Sequence, residues 1–223
     1  MQNLDRLCRK LAYSFKRPDL LEQALTHRSF GSSNNERIEF LGDAILGYLI
    51  SIELYRRFPE ASEGELSRLR ASLVKGETLA SIATELELGD YLNLGSGELK
   101  SGGHRRRSIL ADAFEAIIGA VYLDSDMDNA SALVETFFKE RIAELDPRTL
   151  KKDPKTRLQE YLQARGDELP EYQVVATEGK AHEQRFKVEC TISSLADKVV
   201  GEGTSRRKAE QAAAEKMLQV LTN

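Results

Sequence analysis

The stretch from Ile109 to Leu123 is apolar around the whole circumference of a helix except at Asp112 and Glu115, whose i, i+3 spacing puts both on one face. A helix of that kind has to be the buried centre of a helical assembly. It is too short and too interrupted for the ~20 residues that a bilayer span requires. A second segment shares the peculiarity. After Asp43 the residues Ile45, Leu46, Tyr48, Leu49, Ile50, Ile52 and Leu54 predict a helix with a buried middle, and its acids Glu36, Glu39 and Asp43 fall at i, i+3 and i+7 on one stripe. Burying an uncompensated carboxylate costs several kcal/mol, and gathering acids adds repulsion, so two such helices predict a cation between them. Arg37, Arg68 and Arg70 could provide it as ion pairs. Otherwise an oxygen-only donor set suits a hard ion such as Mg²⁺ or Mn²⁺, because His27, His104 and His182 are too scattered for an imidazole site. Gly42 and Gly47, unfavourable inside a helix, predict close approach by another backbone.

The periodicity changes once along the chain. Upstream, Asn35 is placed to cap a helix reaching Arg57, and Ser62 with Glu65 forms a capping box. Gly76 precedes a helix to Leu88 ended by Gly89, and Asp128 opens an amphipathic helix carrying Leu133, Phe137, Phe138 and Ile142. Gly95 to Arg107 reads as a glycine-rich basic loop. Downstream come a helix from Pro154 to Arg165, strands over Tyr172–Thr177, Arg185–Ile192 and Lys198–Gly203, and a helix from Ser205 to Leu221. The net charge of −4 divides as −5 over residues 1–150 and +1 over 151–223, with a polar segment between Pro147 and Pro154. The expected architecture is therefore an all-α domain over 1–148, a linker over 149–153, and a small α+β domain of order α-β-β-β-α over 154–223. Cys8 and Cys190 have no partner spacing, and the first residues lack a signal-peptide core, as expected of a cytoplasmic protein with reduced thiols.

Several motifs resemble one family. Asn35 to Asp43 (NERIEFLGD) resembles the signature of bacterial ribonuclease III, and Leu110 to Ala116 (LADAFEA) its second acidic motif. Pro154 to Gln163 and Gly203 to Ala213 resemble the two ends of a double-stranded-RNA-binding domain. The resemblance implies an Mg²⁺-dependent endoribonuclease, with Mn²⁺ as a substitute and no small-molecule cofactor. It would cut both strands of duplex RNA to 5′-phosphate and 3′-hydroxyl ends and process rRNA and mRNA precursors. The implied metal ligands are Glu39, Asp43, Asp112 and Glu115, with Asp43 and Glu115 catalytic and Glu36 and Glu63 as accessory acids. Phe40 matches a position that plugs into a second subunit of a homodimer, against a plainer reading as core packing. Ala44 departs from a common serine, and Glu210 replaces a basic residue often found after Arg206-Arg207.

The chemistry of the tail fits A-form RNA, whose shallow minor groove displays 2′-hydroxyls. Thr156, Gln159, Glu160 and Gln163 lie along one side of a helix, and His182 sits in the turn after the first strand. Arg206, Arg207 and Lys208 add charge to a helix N-terminus capped by Ser205. The competing classes are a non-cleaving duplex-RNA-binding protein, which would not need the acids, and a phosphohydrolase of small substrates, which would not need the tail. No membrane partner is expected.

Overall fold

The computed structural model describes residues 4–146, 153–179, 184–193, 195 and 198–222. The chain divides into two compact units, Met1–Leu150 and Lys151–Asn223. His182 and most of the segment between Pro147 and Pro154 lie outside the described residues.

The first unit is helical: α1 (Leu4–Leu11), α2 (Pro18–Ala24), α3 (Glu36–Arg57), α4 (Glu63–Val74), α5 (Gly76–Glu85), α6 (Ser96–Lys100), α7 (Arg107–Asp124) and α8 (Met127–Ala143). As its composition requires, α7 is the core, with Ala113, Phe114, Ala116, Ile117, Ile118, Ala120 and Val121 fully buried beneath α2, α3, α5 and α8. Phe114 meets Phe137 of α8 edge to face at 5.7 Å. Its C-terminal end is fastened by Asp124, which accepts the Tyr13 hydroxyl at 2.7 Å and the Lys16 and Arg17 amides at 2.9 and 2.8 Å.

Some local details differ from the sequence expectations. The capping box of Ser62 and Glu65 is present. At the start of α3, however, Asn34 Oδ1 takes the Glu36 amide at 3.1 Å, while the Asn35 side chain turns inward to donate to the Ala24 carbonyl. Helix α5 ends at Glu85, and Glu87 rather than Gly89 adopts the left-handed conformation, at φ +59°. The Gly95–Arg107 segment holds α6 and a 3₁₀ turn at Gly103–Arg105, so it is not a plain loop. Asp126, not Asp128, caps α8.

The middle of α3 departs most. Ile38, Ile45, Leu46, Ile50 and Leu54 are buried, yet Phe40, Tyr48 and Tyr55 are 79%, 56% and 73% exposed. An all-round apolar pattern does not distinguish a face covered by its own chain from one left open. Phe40 is therefore not core packing in this unit.

The second unit comprises α9 (Pro154–Arg165), β1 (Glu171–Glu178), β2 (Arg185–Thr191), β3 (Val199–Gly203) and α10 (Arg206–Thr222). The strands form an antiparallel sheet in the order β1-β2-β3, with Val188 opposite Val174 and Gly201. Leu158 and Leu162 of α9, Cys190 and Ile192, and Ala213, Met217 and Leu218 of α10 form its core. Both cysteines are free.

Candidate metal centre and nucleic-acid interface

The site exists because α3 and α7 touch through their backbones. A Cβ at Gly42 would fall on the carbonyl oxygen of Glu115, and a Cβ at Gly119 on that of Ile38. Only glycine at both positions permits this crossing. Glu39 lies one helical turn from Gly42, and Glu115 one turn from Gly119, so the crossing carries the acids with it. The expected close approach holds for Gly42 and fails for Gly47, where a side chain would meet open space.

Carboxylate oxygens of Glu39, Asp112 and Glu115 all lie within 4.8 Å of one another, and each residue is half-buried. Asp43 is exposed and stands outside that trio. Its charge still reaches the cluster. Desolvation, followed by the charges of Asp43, Glu39 and Asp112, pushes the Glu115 carboxyl up to about 8. Desolvation, with Asp112, Glu36 and Asp43 behind it, likewise raises Glu39. Asp112 is raised by desolvation and partly relieved by His27 and Arg28.

Among the described residues, no Lys, Arg or His is ion-paired to Glu39, Asp43, Asp112 or Glu115. The arginine alternative is excluded at those acids: Arg70 donates to Ser51 Oγ at 3.0 Å, and Arg68 Nε is buried without a partner. Crowded carboxylates that favour their protonated forms, with oxygen the only donor type, fit a hard divalent ion.

A cleft of about 390 Å³ opens beside the cluster, lined in part by His27, Arg28, Glu36, Arg106 and Ser108 as well as Glu39 and Asp112. Glu36 is held at 3.4 Å by Arg28, and Arg106 is held at 2.7 Å by Glu98. Sequence spacing did not mark His27 or Arg28. They arrive on the segment between α2 and α3, fixed when the Ser29 amide and hydroxyl both bond His27 Nδ1. Glu63 does not line this cleft; it accepts from Ser67 on the first turns of α4.

In the second unit, Arg206, Arg207 and Lys208 are exposed at the start of α10, where Ser205 Oγ caps the Lys208 amide at 3.2 Å. Thr156 and Gln159 of α9 line one shallow groove with Arg206 and Arg207. Glu160 and Gln163 are exposed further along α9. Two helix starts thus present polar side chains and amide dipoles side by side.

Residues 17–142 match the Ribonuclease-III-like family model, and residues 154–221 match the double-stranded RNA binding motif. A ribonuclease 3 of Shewanella amazonensis is 60% identical over 221 residues, covering 99% of this chain and 98% of the relative. One of Shewanella frigidimarina is also 60% identical with the same coverage. Among solved structures, the nuclease domain of Campylobacter jejuni ribonuclease III is 42% identical with a TM-score of 0.62, covering 66% of this chain and all of that one. A further structure of that nuclease domain, also 42% identical with a TM-score of 0.62, covers 63% of this chain and 99% of its own and is described for flexibility in a region involved in dimer formation.

Proposed function

This chain belongs to the ribonuclease III family, and from that membership we propose that its acidic cluster holds Mg²⁺ and directs hydrolysis of both strands of duplex RNA. The chain is an endoribonuclease with a nuclease unit and a duplex-RNA-binding unit. One observation carries the finer reading: Glu39, Asp112 and Glu115 converge within 4.8 Å at the bottom of a helix crossing that only glycines allow. Together with Asp43 they would hold the ion, with Mn²⁺ as a substitute. When bound, such an ion offsets charge on the attacked phosphate and makes a water nucleophilic at neutral pH. Glu115, whose carboxyl is pushed up to about 8, would have to give up its proton to serve as a ligand. Glu36, which lines the cleft, acts as an accessory acid, whereas Glu63 on α4 stands apart from it in this unit. Arg28 and Arg106 line the cleft, and a backbone phosphate lying in it would compete for them with Glu36 and Glu98.

The reading assigns residues 1–148 to cleavage and dimerisation, 149–153 to a linker, and 154–223 to RNA binding through Thr156, Gln159, Glu160, Gln163, His182, Arg206, Arg207 and Lys208. The products would be 5′-phosphate and 3′-hydroxyl ends, and the substrates precursors of rRNA and mRNA in the cytoplasm. Incubation with long duplex and single-stranded RNA, with Mg²⁺ or chelator, tests it. Cutting confined to duplex RNA with Mg²⁺ is expected; binding without cutting, or hydrolysis of small phosphodiesters alone, would favour the rival classes.

The exposed apolar face of α3 fits a second copy of the chain, seated on Phe40 and Tyr48. Phe40→Ala is expected to weaken the dimer by about 2 kcal/mol or more, as a buried aromatic anchor does. Sedimentation at micromolar concentration checks this, and a wild type that is monomeric there would contradict it.

Replacing Arg206, Arg207 and Lys208 together with Ala is expected to weaken binding of all duplex RNAs and flatten its salt dependence, because phosphate contacts act through counterion release. At saturating RNA the single-turnover rate is expected to stay near wild type. A collapse of that rate would move these residues into the chemistry.

A further inference from the structure

Glu210 is the residue that sits least comfortably in a surface meant for phosphates, and its contacts explain its presence. One carboxylate oxygen accepts from Lys155 Nζ at 2.8 Å and the other from Arg206 Nε at 2.9 Å. Lys155 belongs to the first turn of α9 and Arg206 to the first turn of α10, so this acid joins the starts of two helices. The next residue repeats the connection through an uncharged side chain. Gln211 Oε1 accepts the Lys155 amide at 3.1 Å, and its Nε2 donates to Asp153 Oδ1 at 2.8 Å. Asp153 is the cap of α9 and also takes the Thr156 amide and hydroxyl. The Lys155 ammonium lies 4.3 Å over the Tyr172 ring, which fixes it from the sheet side.

An ion pair on open surface contributes little, but the Glu210 side chain is only 13% exposed and works within a connected network. Hydrogen bonding from Lys155 holds its carboxyl below the usual range, so the connection is charged at neutral pH. The helices it joins have different tasks in the proposed reading. Helix α9 addresses 2′-hydroxyls of a minor groove and the start of α10 addresses phosphates, and A-form and B-form duplexes separate those features differently.

We propose that Glu210 and Gln211 form a clasp that fixes the spacing of the two helix starts and thereby sets the preference for A-form RNA over duplex DNA. They are positioning residues rather than RNA contacts, and the inference rests on the RNA-binding role assigned to this unit above. An acid at position 210 gives up one phosphate contact in exchange for geometry.

The test measures affinity of the full chain, in chelator, for duplex RNA and duplex DNA of one sequence across a range of salt. Gln211→Met changes no charge, so its salt slope is expected to match wild type while RNA affinity falls about tenfold or more, since two hydrogen bonds are lost and one of them is to a carboxylate, and DNA affinity stays put. Glu210→Asp keeps the charge but shortens the arm, and the same loss of discrimination is expected. Melting curves confirm that each variant is folded, and either variant suffices if the other is not. Wild-type RNA-to-DNA ratios in the folded variants would overturn the clasp. So would Glu210→Gln binding both duplexes more tightly by one common factor, since the acid would then only screen. A wild type that binds RNA and DNA equally would overturn the clasp by leaving no preference for it to set, whereas a folded wild type that binds neither duplex would remove the RNA-binding role itself, and both failures are visible without any variant.

Discussion

Glu115→Gln is expected to lower single-turnover cleavage of duplex RNA by on the order of a thousandfold or more while duplex affinity in chelator stays unchanged. The amide keeps the shape of the side chain and removes the charge that an ion needs. The same substitution has a second signature in the metal-free protein. Because the folded-state carboxyl is raised to about 8, its protonated form is the one the fold favours. Its contribution to stability is complete below the unfolded value near 4.5 and is lost as pH rises through about 8. Metal-free Glu115→Gln is therefore expected to melt above wild type beyond pH 8, with the gap closing toward about pH 5. Added Mg²⁺ is expected to stabilise wild type more than the variant. Cleavage at the wild-type rate by the variant would remove Glu115 from the site.

The other large effect is expected at Gly42. A valine there would drive side-chain atoms into the Glu115 carbonyl, and the helices would have to separate. We expect a cost of about 3 kcal/mol or more, at the upper end of core overpacking. Cleavage is expected to fall further than stability alone explains, because the displacement moves Glu39 away from Asp112 and Glu115. Gly47→Ala is the control on the same helix: its side chain meets open space, so a gain of about 0.5–1 kcal/mol is expected. Urea midpoints and single-turnover rates of the two variants separate the effects. Equal stability of Gly42→Val and Gly47→Ala would mean the crossing is looser than described.

What the sequence makes legible here is whatever a single helix determines. The apolar run of α7 names the core helix, and i, i+3 spacing names Asp112 and Glu115 as neighbours. Spacing within α3 also aligns Glu36, Glu39 and Asp43, yet it is the angle and depth of the α3–α7 crossing that put Glu39 into the cluster and leave Asp43 at its rim. That geometry lives between helices. His27 and Arg28 were hidden for the same reason, since nothing local to the segment between α2 and α3 indicates that it packs beside Asp112. Phe40 illustrates a different limit: an aromatic residue in an apolar helix reads alike whether its own chain or a second copy is to cover it. Glu210 reads from the sequence only as an acid where a basic residue is common, whereas the clasp proposed for it depends on reach to Lys155 and Arg206.

The most direct measurement is anomalous diffraction from crystals of the full chain soaked in Mn²⁺. The account predicts a peak within coordination distance of the Glu39, Asp112 and Glu115 carboxylates and its loss in Glu115→Gln. A protein that cuts duplex RNA only with added divalent ion, yet shows its Mn²⁺ peak elsewhere and keeps it in Glu115→Gln, would contradict the account.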